Sequence, residues 1–240
     1  MKKFKPENQF PLELEFKKDF TFESYIRADF NKIALTLLDS WPNWSCSKFI
    51  SIYGPKGSGK THISKLWAHK SKAKILYSIE NCDIYMISKD NEAFVLDNIE
   101  PGDKWPEKLL FHLINHLTDT KKSLVITSLK PLNKFNWKLP DLNSRLSSIT
   151  STAIGFPDYN SLIKIMIKQL ADRQITINIE NIKFILNRIE RSFLAIKEIV
   201  EILDRLSLSK KKPLTIFLIK EALSIREKNR NNFAGKSILF

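Results

Sequence analysis

The sequence contains little glycine, little cysteine and no long apolar run. Its six glycines are few for 240 residues, and its two cysteines, Cys46 and Cys82, lie far apart without the spacing of a metal site. This pattern excludes a disulfide framework and is typical of thiols in a reducing cytoplasm. No stretch approaches the roughly 20 apolar residues of a membrane span, and the N-terminus lacks the apolar core and cleavage site of a signal peptide. We therefore expect a cytoplasmic protein without membrane contact.

Acidic residues are outnumbered by basic ones. The formal net charge is +13 and the isoelectric point is about 9.6, values that occur in proteins that bind nucleic acid or acidic partners. However, the positive charges are spread along the chain, apart from KKK at 210–212, and lysine, asparagine and isoleucine are all abundant, as in a genome with biased codon usage. The charge is therefore weak evidence for direct DNA binding.

Three of the six glycines fall in the segment GPKGSGKT, residues 54–61, which has the spacing of a phosphate-binding loop. The apolar run FISIY before it suits a buried strand, and HISKLWAHK after it has the apolar spacing of a helix. Glycine lets the backbone aim its N–H groups at phosphate oxygens, and the helix N-terminus adds a favourable dipole. Lys60 is predicted to reach the β- and γ-phosphates, and Thr61 to hold Mg²⁺ through its hydroxyl. These residues predict a nucleotide site.

The segment EAFVLDNIE predicts a second part of that site. Residues 93–96 are apolar and predict a buried strand that ends at Asp97. Asp97 is predicted to bind Mg²⁺, directly or through water. Many related ATPases carry a glutamate after this acid to activate water. Here the next residue is Asn98, which cannot act as a general base, and Glu100 lies beyond the strand pattern. Nucleotide binding is therefore favoured over fast intrinsic hydrolysis.

Two further segments carry polar residues at informative places. The apolar strand SLVITS ends in Thr127 and Ser128, which are able to lie beside a γ-phosphate or to orient water. The segment LPDLNSRL, residues 139–146, predicts a short helix carrying Arg145. This arginine is either a solvated surface residue or a finger directed at a neighbour's nucleotide.

Apolar and polar side chains alternate in ENQFPLELEF, residues 7–16, before any domain begins. Alternation fits a half-buried strand. It also fits an extended peptide that inserts alternate side chains into the pockets of a partner. Composition alone does not choose between the two.

Taken in order, these motifs resemble the DnaA clade of AAA+ replication initiators, and most of all its shorter relatives, the Hda-type regulatory inactivators of DnaA. The most specific motifs are FTFESYI, GPKGSGKTH, VLDNIE, VITS, LPDLNSRL and RIERSF, and the resemblance runs from QFPLELEF to PLTIFLIKEAL. It implies an α/β fold, in which a P-loop AAA+ domain built on a parallel sheet is followed by a small all-α lid domain.

The resemblance also implies binding roles for the matching residues. Hda-like proteins dock an N-terminal peptide in the β sliding clamp, and the matching positions here are Gln9, Phe10, Leu12 and Leu14. ADP or ATP with Mg²⁺ is expected to bind at Gly54, Pro55, Lys56, Gly57, Ser58, Gly59, Lys60, Thr61, His62, Asp97, Ser128 and Arg191, with Thr61 and Asp97 as the metal ligands.

Two arginines have special roles in this resemblance. Arg145 matches the catalytic arginine finger that is offered in trans to the ATP of the initiator. The second sensor of the family is an arginine at the start of a lid helix, for which RIERSF offers Arg191, whereas counting back from PLTI places Leu194 at that position. The identity of the second sensor is left open between them.

The expected organisation has four segments. These are an extended arm at 1–18 with the clamp-binding peptide, an AAA+ nucleotide-binding domain at 19–156, a helical lid domain at 157–228 and a disordered tail at 229–240. AIGF at 153–156 is predicted as the fifth strand of the sheet. We expect neither the initiator's helix-turn-helix domain nor its N-terminal helicase-interaction domain in this chain.

The function predicted from the resemblance is that of a DnaA-related AAA+ regulator. It binds adenine nucleotide and the β sliding clamp and promotes hydrolysis of initiator-bound ATP, which negatively regulates chromosomal replication initiation. Its own ATPase is expected to be weak. DnaA and the clamp are the expected partners, with DNA reached indirectly through the clamp, and a homodimer is compatible with the family.

Two alternatives remain open. A helicase-loader or transposition-type AAA+ ATPase acting on DNA would prefer a glutamate at position 98 and has no use for a glutamine-led arm. A module that binds DNA by charge alone would need a lysine-rich strip on one face of the lid.

Overall fold

Five parallel strands form one sheet at the centre of the predicted nucleotide domain. The structure is a computed structural model that describes residues 26–44, 47–80, 82–210 and 214–236. The strand order is β2–β3–β4–β1–β5, and the strands are β1 Phe49–Tyr53, β2 Lys74–Leu76, β3 Ala93–Leu96, β4 Ser123–Ser128 and β5 Thr150–Ala153. All four strand pairs are parallel. The carboxyl ends of the strands therefore share one edge of the sheet and their amino ends share the other.

The central strands are apolar along their whole length because helices cover both faces of the sheet. Phe94 and Leu96 of β3 pack in a cluster on one face, and Val95 packs in a separate cluster on the other face. The helices of this domain are α1 Lys32–Asp39, α2 Lys60–Ser71, α3 Ile84–Lys89, α4 Glu107–Asp119 and α5 Pro140–Ser147. Helices α4 and α5 cover the first face, and α1 and α2 cover the second.

Four helices, α6 Tyr159–Ala171, α7 Ile179–Leu186, α8 Phe193–Lys210 and α9 Ile216–Lys236, form the lid domain around one apolar cluster. The first two begin at side-chain caps, because Asp158 accepts from the Ser161 N–H and Asn178 from the Asn181 N–H. The apolar positions recur at helical spacing and are buried, so they form a core, as their spacing predicts.

Phe30 connects the two domains. Its ring contacts the ring of Phe193 edge to face, with 5.4 Å between centroids, and its carbonyl accepts from the Gly155 N–H at 2.7 Å. Phe30 packs against the lid cluster and also against the cluster under α1 and α2. The start of α8 is therefore held close to the nucleotide domain.

The fifth strand is displaced from its predicted position. It consists of residues 150–153 rather than 153–156, and pairs with β1 at the edge of the sheet. Of its four residues only Thr152 is buried, so the strand lacks the apolar run that a sequence search recognises. Ile154 continues the pairing by donating to the Tyr53 carbonyl at 2.7 Å.

The predicted disordered tail is wrong for residues 229–236, because helix α9 continues to Lys236. Residues 237–240 lie outside the described part of the chain, as does the predicted arm at 1–18. Within the segments that the structure describes, no helix is both long and apolar enough to cross a membrane.

Candidate nucleotide-binding site

The loop between β1 and α2 has the conformation that its glycines allow. Gly54 donates to the Ser128 carbonyl at 3.3 Å, and a Cβ at this position would lie 2.6 Å from the Ile154 carbonyl oxygen. Any side chain here would therefore collide with backbone. Gly59 ends the loop in the left-handed region, with φ of 89°, which favours glycine.

Lys60 begins helix α2 and its side chain is buried. Its ammonium donates to the carbonyls of Gly54 and Pro55, both at 2.9 Å. Burial lowers the pKa of Lys60, and the nearby Asp97 carboxylate partly opposes that effect. A phosphate at the helix N-terminus would supply the missing negative charge, because helix N-termini present unpaired N–H groups and the positive end of the dipole.

Asp97 is held by two hydroxyls. Thr61 donates to both of its oxygens, at 2.9 and 3.2 Å, and Thr127 donates to Oδ1 at 2.7 Å. The Asp97 side chain is buried. Carboxylate and hydroxyl oxygens are ligands that Mg²⁺ accepts in nucleotide sites, so Thr61 and Asp97 fit the metal predicted between them.

Asn98 follows Asp97 in the left-handed region, with φ of 60°. Its N–H donates to the Thr127 hydroxyl at 2.7 Å, and the next N–H, of Ile99, donates to the Thr127 carbonyl at 2.8 Å. The position after Asp97, the predicted metal ligand, therefore carries an exposed amide rather than a carboxylate.

The remaining predicted loop residues also lie at this site. Lys56 is exposed, Ser58 is buried and His62 is half-buried in the first turn of α2. Ser128 is buried at the end of β4, where its hydroxyl donates to the Lys130 carbonyl at 2.7 Å. Ser128 therefore reaches the loop through its carbonyl, and Thr127 is the β4 residue whose side chain contacts Asp97.

The lid contacts the loop through Leu194. A Cβ on Gly57, whose φ is 81°, would lie 3.1 Å from the Leu194 backbone nitrogen. Arg191 is exposed, and its guanidinium carbon lies 5.7 Å from the ring centroid of Tyr159. Of the two candidates for the second sensor, the structure places Leu194 against the loop. Unlike an arginine, the leucine side chain has no group that donates to a phosphate.

Arg145 lies at the opposite edge of the sheet. It is exposed near the end of α5 and lines a cavity together with Lys48, Lys122 and Ile149, which immediately precede β1, β4 and β5. These strands run parallel, so the cavity is at their amino ends, whereas Lys60 follows the carboxyl end of β1. The five residues of β1 alone separate the two edges by about 13 Å.

Two site residues were missed or left undecided by the sequence. Thr127 was recognised as polar, but only the pairing of β3 with β4, with Leu96 beside Ile126, places it next to Asp97. Leu194 was recognised only by counting along the lid helix. The four clamp-binding candidates, residues 9, 10, 12 and 14, lie outside the described residues.

Comparison with known proteins agrees with this architecture. Residues 159–223 match the family described as "Hda, lid domain". An uncharacterized protein of Haemophilus influenzae is 28% identical over 90% of this chain and 99% of its own length. The chromosomal replication initiator protein DnaA of Lachnoclostridium phytofermentans is 28% identical over 72% of this chain, which matches 43% of that protein.

Solved structures share the fold. Domain III of the Thermotoga maritima replication initiation protein DnaA superposes with a TM-score of 0.71 and 20% identity, covering 86% of this chain and 96% of the domain. AMPPCP-bound DnaA from Aquifex aeolicus gives a TM-score of 0.64 and 19% identity, covering 89% of this chain and 70% of that one. The five-stranded parallel sheet with its helical lid has the fold of DnaA domain III, the lid segment matches the Hda lid family, and the sequence is similar to DnaA; together these findings support a DnaA-related protein of the Hda type.

Proposed function

We propose that this chain binds an adenine nucleotide with Mg²⁺, docks on the β sliding clamp through residues 9–14, and presents Arg145 to the ATP held by DnaA. It thereby promotes hydrolysis of the initiator's ATP and switches off replication initiation from the cytoplasm. The chain acts on the nucleotide of another protein, while its own nucleotide serves the fold.

The nucleotide part of the proposal is supported by the loop geometry. Gly54 and Gly59 permit a turn that side chains would block, Lys60 lies at the helix start, and Thr61 and Asp97 offer adjacent oxygen ligands. The related DnaA of Aquifex aeolicus has been solved with AMPPCP bound. ADP or ATP is the corresponding ligand here.

The position of Arg145 is the single observation that carries the proposal. It lies at the amino edge of the sheet, about the length of β1 away from the loop that holds the chain's own nucleotide. Within the described part of the chain, no carboxylate or carbonyl accepts from its guanidinium. An arginine so placed is able to meet the developing charge on a phosphate only if another molecule brings that phosphate.

Asn98 favours a regulator over a motor. The alternative is a helicase-loader or transposition-type AAA+ ATPase, which would need a base to activate water in its own site. Asn98 is neutral, and the buried Asp97 is already bound to two hydroxyls. Robust steady-state ATP hydrolysis by the purified chain alone would favour the alternative.

The test is the rate of ATP hydrolysis by purified DnaA in the presence of clamp-loaded DNA and this chain. Arg145→Ala should leave nucleotide and clamp binding intact and reduce the stimulated rate by about 10³-fold or more, since fingers contribute about 10³–10⁵ in rate. The clamp must be present because docking on it raises the effective concentration of the finger.

Arg145→Lys is the matched variant. Lysine retains the charge but not the planar fork, so it should restore little of the stimulated rate. If Arg145→Ala stimulates hydrolysis as well as the wild type does, this chain does not supply the finger. A Gln9→Ala variant that still binds the clamp would contradict the docking part separately.

A further inference from the structure

Arg145 belongs to a cavity of about 320 Å³ at the amino edge of the sheet. This volume lies within the range of small-ligand sites. Its apolar lining comes from α4, the first residue of β1 and the residue before β5. Its lining also includes four cations, Lys48, Lys121, Lys122 and Arg145, and hydroxyls such as those of Thr118 and Ser148. None of the described residues that line it is acidic.

One of the four cations is already engaged by the protein. The Lys122 ammonium is buried and donates to the carbonyls of Ser88 and Asn91 and to the Glu92 carboxylate. It uses all three of its donors and neutralises its charge against Glu92. Lys122 is therefore structural.

The other three cations retain donors. Lys48 donates once, to the Lys121 carbonyl at 2.7 Å, which brings these two residues together and leaves two of its N–H groups unused. Among residues 26–44, 47–80, 82–210 and 214–236, nothing accepts a hydrogen bond from the side chains of Lys121 or Arg145. The described lining thus holds three positive charges with unused donors and no carboxylate to balance them.

Capping of helix C-termini is the alternative explanation for these cations, because both α4 and α5 end beside the cavity and lysines often bind the last carbonyls of a helix. Lys48 donates to the Lys121 carbonyl, but Lys121 lies beyond Asp119, the last residue of α4. The Lys121 and Arg145 side chains donate to no carbonyl in the described part of the chain. The capping explanation therefore covers none of the three.

We infer that this cavity is a phosphate-binding site that takes the triphosphate of the nucleotide bound to the partner, with Lys121 and Lys48 binding the phosphates that Arg145 acts on. The inference rests on the proposed function and extends it from one arginine to a three-cation site. Lysine is a point charge with rotatable donors and suits ground-state phosphate binding, whereas the arginine fork also fixes direction.

Phosphate binding by Lys121 and rate acceleration by Arg145 therefore affect different kinetic quantities. Lys121→Gln should raise the concentration of this chain needed for half-maximal stimulation of DnaA about tenfold, because it removes one charged hydrogen bond to phosphate. The maximal stimulated rate should change little. Arg145→Ala, in contrast, should lower the maximal rate. Lys121→Arg keeps the positive charge and should stimulate DnaA with the concentration dependence of the wild type.

Lys72 provides a matched control. Lys72 and Lys121 each follow the end of a helix, and the backbone of both lies in the left-handed region, with φ of 54° and 55°. A change to glutamine therefore affects the backbone equally at the two positions. Lys72 is exposed and does not line the cavity. Lys72→Gln should therefore stimulate DnaA with wild-type concentration dependence.

A direct binding measurement identifies the ligand. Full-length Lys60→Ala, in which the chain's own loop is disabled, should bind inorganic triphosphate in calorimetry, and the additional change Lys121→Gln should weaken that binding. If Lys121→Gln and Lys48→Gln both stimulate DnaA as the wild type does while Arg145→Ala does not, the three-cation site is overturned. The proposal that Arg145 is the arginine finger would remain. If triphosphate does not bind but duplex DNA binds through Lys121, the cavity binds the DNA backbone and the inference is also overturned.

Discussion

At the scale of single residues, Thr127 links Asp97, the proposed metal ligand, to the neighbouring strand β4. Its hydroxyl donates to Asp97 Oδ1 and accepts from the Asn98 N–H, both at 2.7 Å. The second bond holds Asn98 at a positive φ. Thr127 therefore fixes both the direction of the carboxylate and the turn that follows it.

Replacing Thr127 with valine, which has nearly the same shape, should test this role. Thr127→Val leaves the Asn98 N–H without its acceptor, which should lower the free energy of unfolding by about 1–2 kcal/mol. It also removes one of the two hydroxyls that hold the Asp97 carboxylate, which leaves Thr61 as its remaining donor. The extra thermal stabilisation by ADP on adding Mg²⁺ should therefore shrink. Thr127→Ser keeps the hydroxyl and should retain most of the Mg²⁺-dependent stabilisation. Equal Mg²⁺-dependent shifts in Val and Ser variants, measured by thermal denaturation, would contradict the role.

Local sequence was sufficient for part of the site. Lys60 and Thr61 are fixed by the loop that contains them, and Asp97 by the strand before it, so spacing alone predicts their roles. Thr127 and Leu194 could not be assigned in this way. The first depends on the register of two strands 30 residues apart, and the second on how the lid packs against Gly57.

At the scale of elements, apolar runs in the sequence predicted the strands that are buried on both faces of the sheet. Strands β1, β3 and β4 were found because their residues are nearly all buried. Strand β5 is mostly exposed at the edge of the sheet, and its polar sequence does not distinguish it from a loop. The end of α9 was missed because its sequence beyond residue 228 is polar.

Helix α9 is anchored to α8 by an ion-pair network. The Arg226 side chain is buried and donates to Glu198 at 3.0 Å and to Glu190 at 2.6 Å. Arg230 also forms an ion pair with Glu190. These contacts join α9 to α8 and to the turn that precedes it, close to Leu194.

Arg226→Met should therefore destabilise the chain more than an ordinary surface change. Methionine preserves the apolar stem but leaves two glutamates without their main partner, and because both remain partly exposed, the expected loss is about 1–2 kcal/mol. Arg205→Met, at an exposed position of α8, is the control and should cost little. Chemical denaturation monitored by circular dichroism gives both values. Equal stability of the two variants would show that the network contributes nothing.

At the scale of the whole molecule, the two edges of the sheet carry two candidate phosphate sites. The carboxyl edge holds the loop, Lys60 and Asp97, and the amino edge holds Arg145 and its cavity. A parallel sheet separates these edges by the length of its strands. Under the proposed function, the first site binds the chain's own nucleotide and the second meets that of a partner.

The close contact of Gly57 with Leu194 predicts that nucleotide binding stabilises the lid as well as the loop. At 100 times its dissociation constant, ADP should add about 2.7 kcal/mol to the free energy of unfolding, or about 5–10 °C in melting temperature for a chain of this size. Amide hydrogen exchange at the start of α8 should slow on ADP binding. A ligand that orders the loop also orders the backbone packed against it.

Lys60→Ala should remove most of both effects, because the phosphates lose their main cation. Lys65→Ala, one turn further along the same helix and outside the loop, should respond to ADP as the wild type does. If ADP raises the melting temperature of the wild type while exchange in α8 is unchanged, the lid does not respond to nucleotide. If Lys60→Ala and the wild type melt alike with and without ADP, the loop is not a nucleotide site at all.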